Sequence, residues 1–164
     1  MLFRSRPAYG PDGRIFYPHL SSSGSTTETV LYSIRPDGSD RRAHLSFPLA
    51  DEAAVSPDGK WVAFQESDNV WVAPFPYEGT GGATISIDRN RPRLPATRLT
   101  REGGLFPTWR SDSVLDYGSA DRFYSYSVAS KRADTTRLAL TVPRDIPSGT
   151  VAFTYEPTGK DLVS

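Results

Sequence analysis

A short turn followed by an apolar run recurs along this chain, and the recurrence restricts the fold more than any other feature. Gly10-Pro11-Asp12-Gly13 precedes Arg14-Ile15-Phe16-Tyr17, and Ser56-Pro57-Asp58-Gly59 precedes Lys60-Trp61-Val62-Ala63-Phe64. Worn copies follow: Arg110-Ser111-Asp112-Ser113 before Val114-Leu115-Asp116-Tyr117, and Glu156-Pro157-Thr158-Gly159 before Lys160-Asp161-Leu162-Val163. The third turn positions, Asp12, Asp58, Asp112 and Thr158, are 46, 54 and 46 residues apart. A period of roughly 40–50 residues built from short strands is the mark of a β-propeller. The turn has a mechanism. Proline presets φ at the second position, Asp bonds nearby backbone at the third, and Gly tolerates the exit at the fourth. Each turn therefore joins two antiparallel strands, and the run after it is the inner strand of a blade.

The strand order repeats as well. In the second unit, strands are expected at Glu52 to Ser56, Lys60 to Glu66, Val70 to Phe75 and Thr97 to Thr100. The first unit reads Arg14 to Leu20, Thr29 to Ile34 and Arg41 to Ser46, with another turn at Pro36, Asp37 and Gly38. The third reads Leu105 to Arg110, Ser113 to Ser119, Phe123 to Val128 and Thr135 to Val142. Trp61, Ala63 and Gln65 point one way, and Val62, Phe64 and Glu66 the other. Both faces start apolar, as expected of a sheet sandwiched between neighbours. Trp61, Phe64 and Trp71 are the expected packed centre of that unit. A β-sandwich with buried strands is the alternative, and it leaves the recurring turn unexplained. The expected fold class is all-β, a partial β-propeller of about three four-stranded antiparallel blades plus the start of a fourth. Blade 1 spans about 4–47, blade 2 about 52–100, blade 3 about 105–142 and a link 143–150. A further blade or next domain begins in 151–164. With 13 Gly and 14 Pro the chain is rich in reversals, and the insertion from Pro76 to Ala96 is expected to be exposed and mobile.

At Ser56 to Phe64 the sequence resembles the TolB-type propeller repeat, Ser-Pro-Asp-Gly-Lys followed by an aliphatic-aromatic strand. Tyr9 to Tyr17 resembles it too, and the later copies do so weakly. The resemblance implies the fold and little about function. Such repeats occur in TolB, in propellers attached to prolyl-oligopeptidase-type peptidases, and in propellers preceding bacterial amidohydrolase domains. Leu99 to Phe153 is most similar to the last group, where a Pro-rich link leads into the hydrolase; here another blade start follows instead. By the same resemblance, a periplasmic or secreted setting is an expectation. Met1 to Gly10 lacks the apolar core of a signal peptide.

Chemistry is sparse. The two histidines, His19 and His44, lie far apart, and no His-x-His or Gly-x-Ser-x-Gly occurs. Cys is absent, which removes thiolate chemistry. No phosphate-binding glycine loop is present, so no cofactor is expected, and no metal site either. Asp12, Asp58 and Asp112 recur at turns, where they either line a rim for a hard cation or stabilise their own turn. Formal net charge is +0 from 19 basic and 19 acidic residues, giving no pull toward nucleic acid or anionic membrane. One local concentration stands out: Arg89, Arg91, Arg93, Arg98 and Arg101. It is either an anion or partner contact or a solvated, proline-stiffened insertion. The expected role is a non-catalytic segment serving protein–protein interaction or scaffolding. The alternative is an accessory propeller of a metal-dependent amidohydrolase or, further off, of a prolyl-oligopeptidase-type serine peptidase, with the catalytic domain outside these residues. Expected partners are the rest of a larger propeller, a second copy, or a protein ligand.

Overall fold

The computed structural model describes residues 6–77, 84–88 and 93–141. The described residues form thirteen strands in three sheets and no α-helix. The first sheet holds β1 (Ala8–Tyr9), β2 (Ile15–Ser23), β3 (Thr26–Ile34), β4 (Arg42–Phe47) and β8 (Ile85–Ser86). The second holds β5 (Ala50–Val55), β6 (Trp61–Glu66), β7 (Asn69–Pro74) and β9 (Thr97–Arg98). The third holds β10 (Leu105–Trp109), β11 (Val114–Ser119), β12 (Arg122–Ser127) and β13 (Arg132–Arg137). Strands within each sheet are antiparallel neighbours in chain order, except that β8 joins β4 in parallel. The strand after each of the first three recurring turns is second in its sheet, flanked on both sides.

The second recurring turn closes its hairpin through its own side chains. Ser56 Oγ donates to Asp58 Oδ1 at 2.7 Å, Lys60 N donates to the same oxygen at 3.1 Å, and Trp61 N donates to Ser56 Oγ at 3.0 Å. Gly59 sits at φ 70°, and a Cβ there would lie 2.5 Å from Pro11 Cγ. Only glycine satisfies both demands, the left-handed backbone and the close approach of the first two turns. At the third Pro-Asp-Gly turn, Ser39 N and Oγ both donate to Asp37 Oδ1, at 2.9 and 2.7 Å.

The sheets stack face to face with the second in the middle. Val62, Phe64 and Ala73 pack with Phe16, Leu31, Leu45 and Phe47 of the first sheet. Ala63, Val70 and Val72 pack with Leu115, Tyr117, Tyr126 and Val128 of the third. The alternation expected for β6 therefore puts one apolar set on each neighbour. Trp61 lies on the third-sheet side, whereas Phe64 and Trp71 lie on the first-sheet side, so the three aromatics serve two cores rather than one centre. Trp109 Nε1 donates to Ala54 O at 3.0 Å and ties the third sheet to the second.

Turn length decides which face each residue joins. The pairs that close the hairpins are Gly10 with Arg14, Ser56 with Trp61, and Arg110 with Val114. Three residues lie inside the first and third turns, four inside the second. A one-residue difference inverts the parity of everything after it. Counted from the closing pair, Tyr17, Phe64 and Tyr117 are equivalent. Each stacks on the residue directly opposite in the next strand: Tyr17 on Tyr32 (5.9 Å, 25°), Phe64 on Trp71 (6.2 Å, 10°) and Tyr117 on Tyr124 (5.1 Å, 8°). The first sheet covers the Phe64 pair, and the second sheet covers the Tyr117 pair. The same face of each sheet thus receives the sheet before it, a head-to-tail relation rather than the like-on-like packing of two sheets sharing one core.

Several expectations need correction. The fourth strand of the third unit is Arg132–Arg137, not Thr135 to Val142. A tight reversal, Lys131 N to Ser127 O at 2.8 Å with Lys131 at φ 56°, starts it early, and the apolar residues Leu138 and Leu140 are left exposed. The first unit gains an opening strand, Ala8–Tyr9, that its sequence does not announce. The described parts of the Pro76 to Ala96 insertion are not simply exposed. Ile87 is buried, Tyr77, Ile85, Leu94 and Ala96 pack against the first core, and Ile87 N donates to Ser46 O at 2.8 Å. Its alternating isoleucines are Ile85, in the short strand β8, and Ile87 just after it, hidden among glycines and arginines. The link 143–150 and the unit 151–164 lie outside the described residues.

Candidate interaction surfaces

The outer face of the first sheet is built from the cross-strand pairs Ile15–Ile34, Tyr17–Tyr32 and His19–Val30. Tyr17 and Tyr32 are half-buried and belong to neither core. The Arg41 guanidinium lies 3.9 Å above the Tyr32 ring, and His19 meets that ring edge-on at 6.2 Å. Phe16 points the other way, into the core at 3% exposure, so it is not part of this face. Tyr117 and Tyr124 do not form a bare face on the third sheet either, since the second sheet covers them. The third sheet's outer face is mixed instead: Leu105, Val114 and Phe123 share it with a polar centre. Arg110 donates to Asp116 Oδ2 at 2.8 Å and to Ser125 Oγ at 2.9 Å, and all six residues of β13 are exposed.

The predicted arginine group is only partly assembled. Arg89 and Arg91 lie outside the described residues. Arg93, Arg98 and Arg101 are exposed. Arg98 donates through Nε to Thr100 O at 2.6 Å and through Nη2 to Arg101 O at 3.1 Å, with its guanidinium 5.9 Å from the Trp71 ring. No bond among the described residues joins Arg93 to this pair.

A different arginine cluster forms where the first sheet's turns converge. Arg14 and Arg42 both donate to Asp40, Arg42 from Nε and Nη2 at 2.9 and 2.8 Å, Arg14 from Nη1 at 2.9 Å. Arg14 also donates to the Asp40 carbonyl and, through Nε, to Ser33 Oγ at 2.8 Å. Arg35 Nε stands 3.4 Å from Asp40 Oδ2. Bonding by Arg42, then Arg14, holds the Asp40 carboxyl below its ordinary range. Beside the cluster opens a cleft of about 580 Å³ lined by Asp12, Arg14, Arg35, Asp37, Arg42 and Tyr77. Tyr77 donates to Asp12 Oδ2 at 2.8 Å. Beneath it Phe16, His44, Phe75 and Tyr77 pack ring on ring at 5.4–6.0 Å.

His44 is 2% exposed, and its Nε2 lies 2.7 Å from Ser33 Oγ. Burial first, then the charges of Arg14 and Arg42, lower its pKa to about 4. His19 lies on the opposite face of the sheet and is exposed. Among the described residues no group of three or more His, Cys, Asp or Glu is placed to hold a metal ion, and no helix is long and apolar enough to cross a membrane. Sequence reading missed Arg14, Arg35 and Arg42 because they are spread over 29 positions. Their one shared signal is that each lies close to a Pro-Asp-Gly turn. No family model, no curated protein and no solved structure matches the chain.

Proposed function

We propose that this chain is a non-catalytic run of TolB-type propeller blades that serves protein–protein interaction or scaffolding, and that its first sheet receives a further sheet of the same kind. One observation carries the reading. The stacked aromatic pair recurs at the same position of all three sheets, two copies are covered by the preceding sheet, and Tyr17–Tyr32 is the third. The head-to-tail order of the faces supports a propeller over a two-sheet sandwich, because rotation about one axis repeats a single kind of interface. The partner's face must be apolar, as Phe16, Leu31, Leu45 and Phe47 are on the sheet that covers Phe64.

Light scattering at micromolar concentration, together with binding of a hydrophobic dye, tests this. The wild type should self-associate or bind the dye, and the double variant Tyr17→Asp, Tyr32→Asp should do neither while still melting cooperatively. A wild-type monomer that binds no dye would sink the proposal. In parallel, the purified chain should turn over no amide, ester or peptide substrate with or without zinc. Metal-dependent turnover abolished by His19→Ala or His44→Ala would overturn the non-catalytic part.

A further inference from the structure

The cleft at the turns of the first sheet has a charge arrangement that stacking of sheets does not require. Arg35 and Arg42 are 58% and 53% exposed, yet both are tethered to one oxygen, Asp40 Oδ2, at 3.4 and 2.8 Å. Asp40 is held in turn by Arg14, which is 4% exposed. A free arginine side chain loses considerable rotamer freedom when it binds. Here the two outer guanidinium groups are already oriented, with N–H donors remaining beyond those given to Asp40. A guanidinium pair matches the paired oxygens of a carboxylate or phosphate.

Two carboxylates on the same cleft narrow the choice. Asp12 and Asp37 line it beside the arginines. Asp37 already accepts two bonds from Ser39, and Asp12 one from Tyr77. Their remaining lone pairs face a dianionic phosphate unfavourably but accept readily from N–H donors. A ligand carrying one carboxylate next to main-chain N–H groups satisfies both signs at once.

We propose that this cleft binds an acidic peptide segment, with its side-chain carboxylate on Arg35 and Arg42 and its backbone N–H groups toward Asp12 and Asp37. The site stands apart from the Tyr17–Tyr32 face, so it holds or fails independently of what covers that face.

The test is a titration of the full chain near pH 7, followed by NMR of backbone amides and arginine Nε–H groups. The probes are the blocked tripeptide acetyl-Gly-Glu-Gly-amide, its Gln counterpart and inorganic phosphate. The acidic peptide should give saturable shifts at Arg35, Arg42 and Tyr77. The Gln peptide should bind about tenfold more weakly or worse, since a charge-assisted bond is lost, and phosphate should bind no better than the acidic peptide. Arg35→Gln should weaken the acidic peptide by about tenfold; Arg14 and Arg42 still hold Asp40 in that variant, and its melt checks that it is folded. Equal affinity for the Glu and Gln peptides, tighter binding of phosphate, an unaffected Arg35→Gln variant, or no saturable shift at all would each overturn the proposal.

Discussion

The outer faces of the first and third sheets occupy corresponding ends of one stack, and they differ in kind. The first presents Ile15, Tyr17, Tyr32 and Ile34, half-buried and largely apolar. The third presents Arg110 bonded to both Asp116 and Ser125, with Leu105, Val114 and Phe123 around them and the exposed strand β13 beside them. The backbone architecture is shared: four antiparallel strands with a short turn between the first and second, to which the first sheet adds the parallel β8. What differs is the chemistry at alternate positions, and that chemistry states which face suits water and which suits another sheet. Among the described residues the strand β13 is the sheet's edge, and it carries Arg132, Asp134 and Arg137, a composition that discourages further pairing.

The strongest way to break this comparison is to truncate the equivalent aromatics one at a time. Tyr117 is 3% exposed and Phe64 is 1% exposed. Tyr117→Ala and Phe64→Ala should each cost about 3–5 kcal/mol, seen as a large drop in melting temperature. Tyr17→Ala removes the same structural position from a pair that none of the described sheets covers and should cost about 1 kcal/mol. Equal losses at all three sites would mean that the outer face of the first sheet is as covered as the others.

The buried side of the first sheet can be tested by pH. His44 is neutral in the folded chain, with its pKa lowered to about 4, while an unfolded histidine titrates near 6.5. Between those values the unfolded chain binds the extra proton. Stability is therefore full above about pH 6.5, falls as pH drops toward 4, and loses nothing further to this group below that. The loss should be about 3 kcal/mol, at about 1.4 kcal/mol per unit. Melts of the wild type and of His44→Phe from pH 7 to pH 4 should diverge by that amount. Parallel curves would show that His44 does not lie behind the Arg14 cluster as described.

The smallest effect belongs to the polar centre of the third sheet's outer face. Arg110→Ala removes the bonds to Asp116 and Ser125 from a side chain that is 55% exposed. Exposed ion pairs contribute less than about 1 kcal/mol, and less again at high salt. A loss above about 2 kcal/mol, insensitive to salt, would indicate that this face too is enclosed.

Much of the strand pattern was legible, because the turn carries its own mechanism: Pro57, Asp58 and Gly59 mark a reversal wherever they stand. The two-faced burial of β6 was legible from its alternation for the same reason. The registers of the first and third sheets were not. Aligning the turns on their Asp matches Phe16 with Val62 and Tyr17 with Ala63, whereas the shorter first turn matches Tyr17 with Phe64. One residue inside a loop, invisible as a change of motif, sent Phe16 and Tyr117 to covered faces. The arginine cleft was hidden for another reason. Closely spaced arginines such as Arg91 and Arg93 draw attention in a sequence, while Arg14, Arg35 and Arg42 meet only because hairpins bring two turns to one end.

The parallel strand β8 has a consequence for the order in which the molecule comes apart. It is drawn from the segment between β7 and β9 of the second sheet, yet it completes the first. Ordinary repeat arrays lose one unit at a time from an end. Here β8 pairs that segment with the first sheet, so the first two sheets share backbone pairing as well as a side-chain core. The first two sheets therefore form one cooperative unfolding unit, and the third is the piece able to open alone. Amide hydrogen exchange would register this as two levels: a shared, higher protection across Phe16 to Val72, and a lower one across Leu115 to Tyr126.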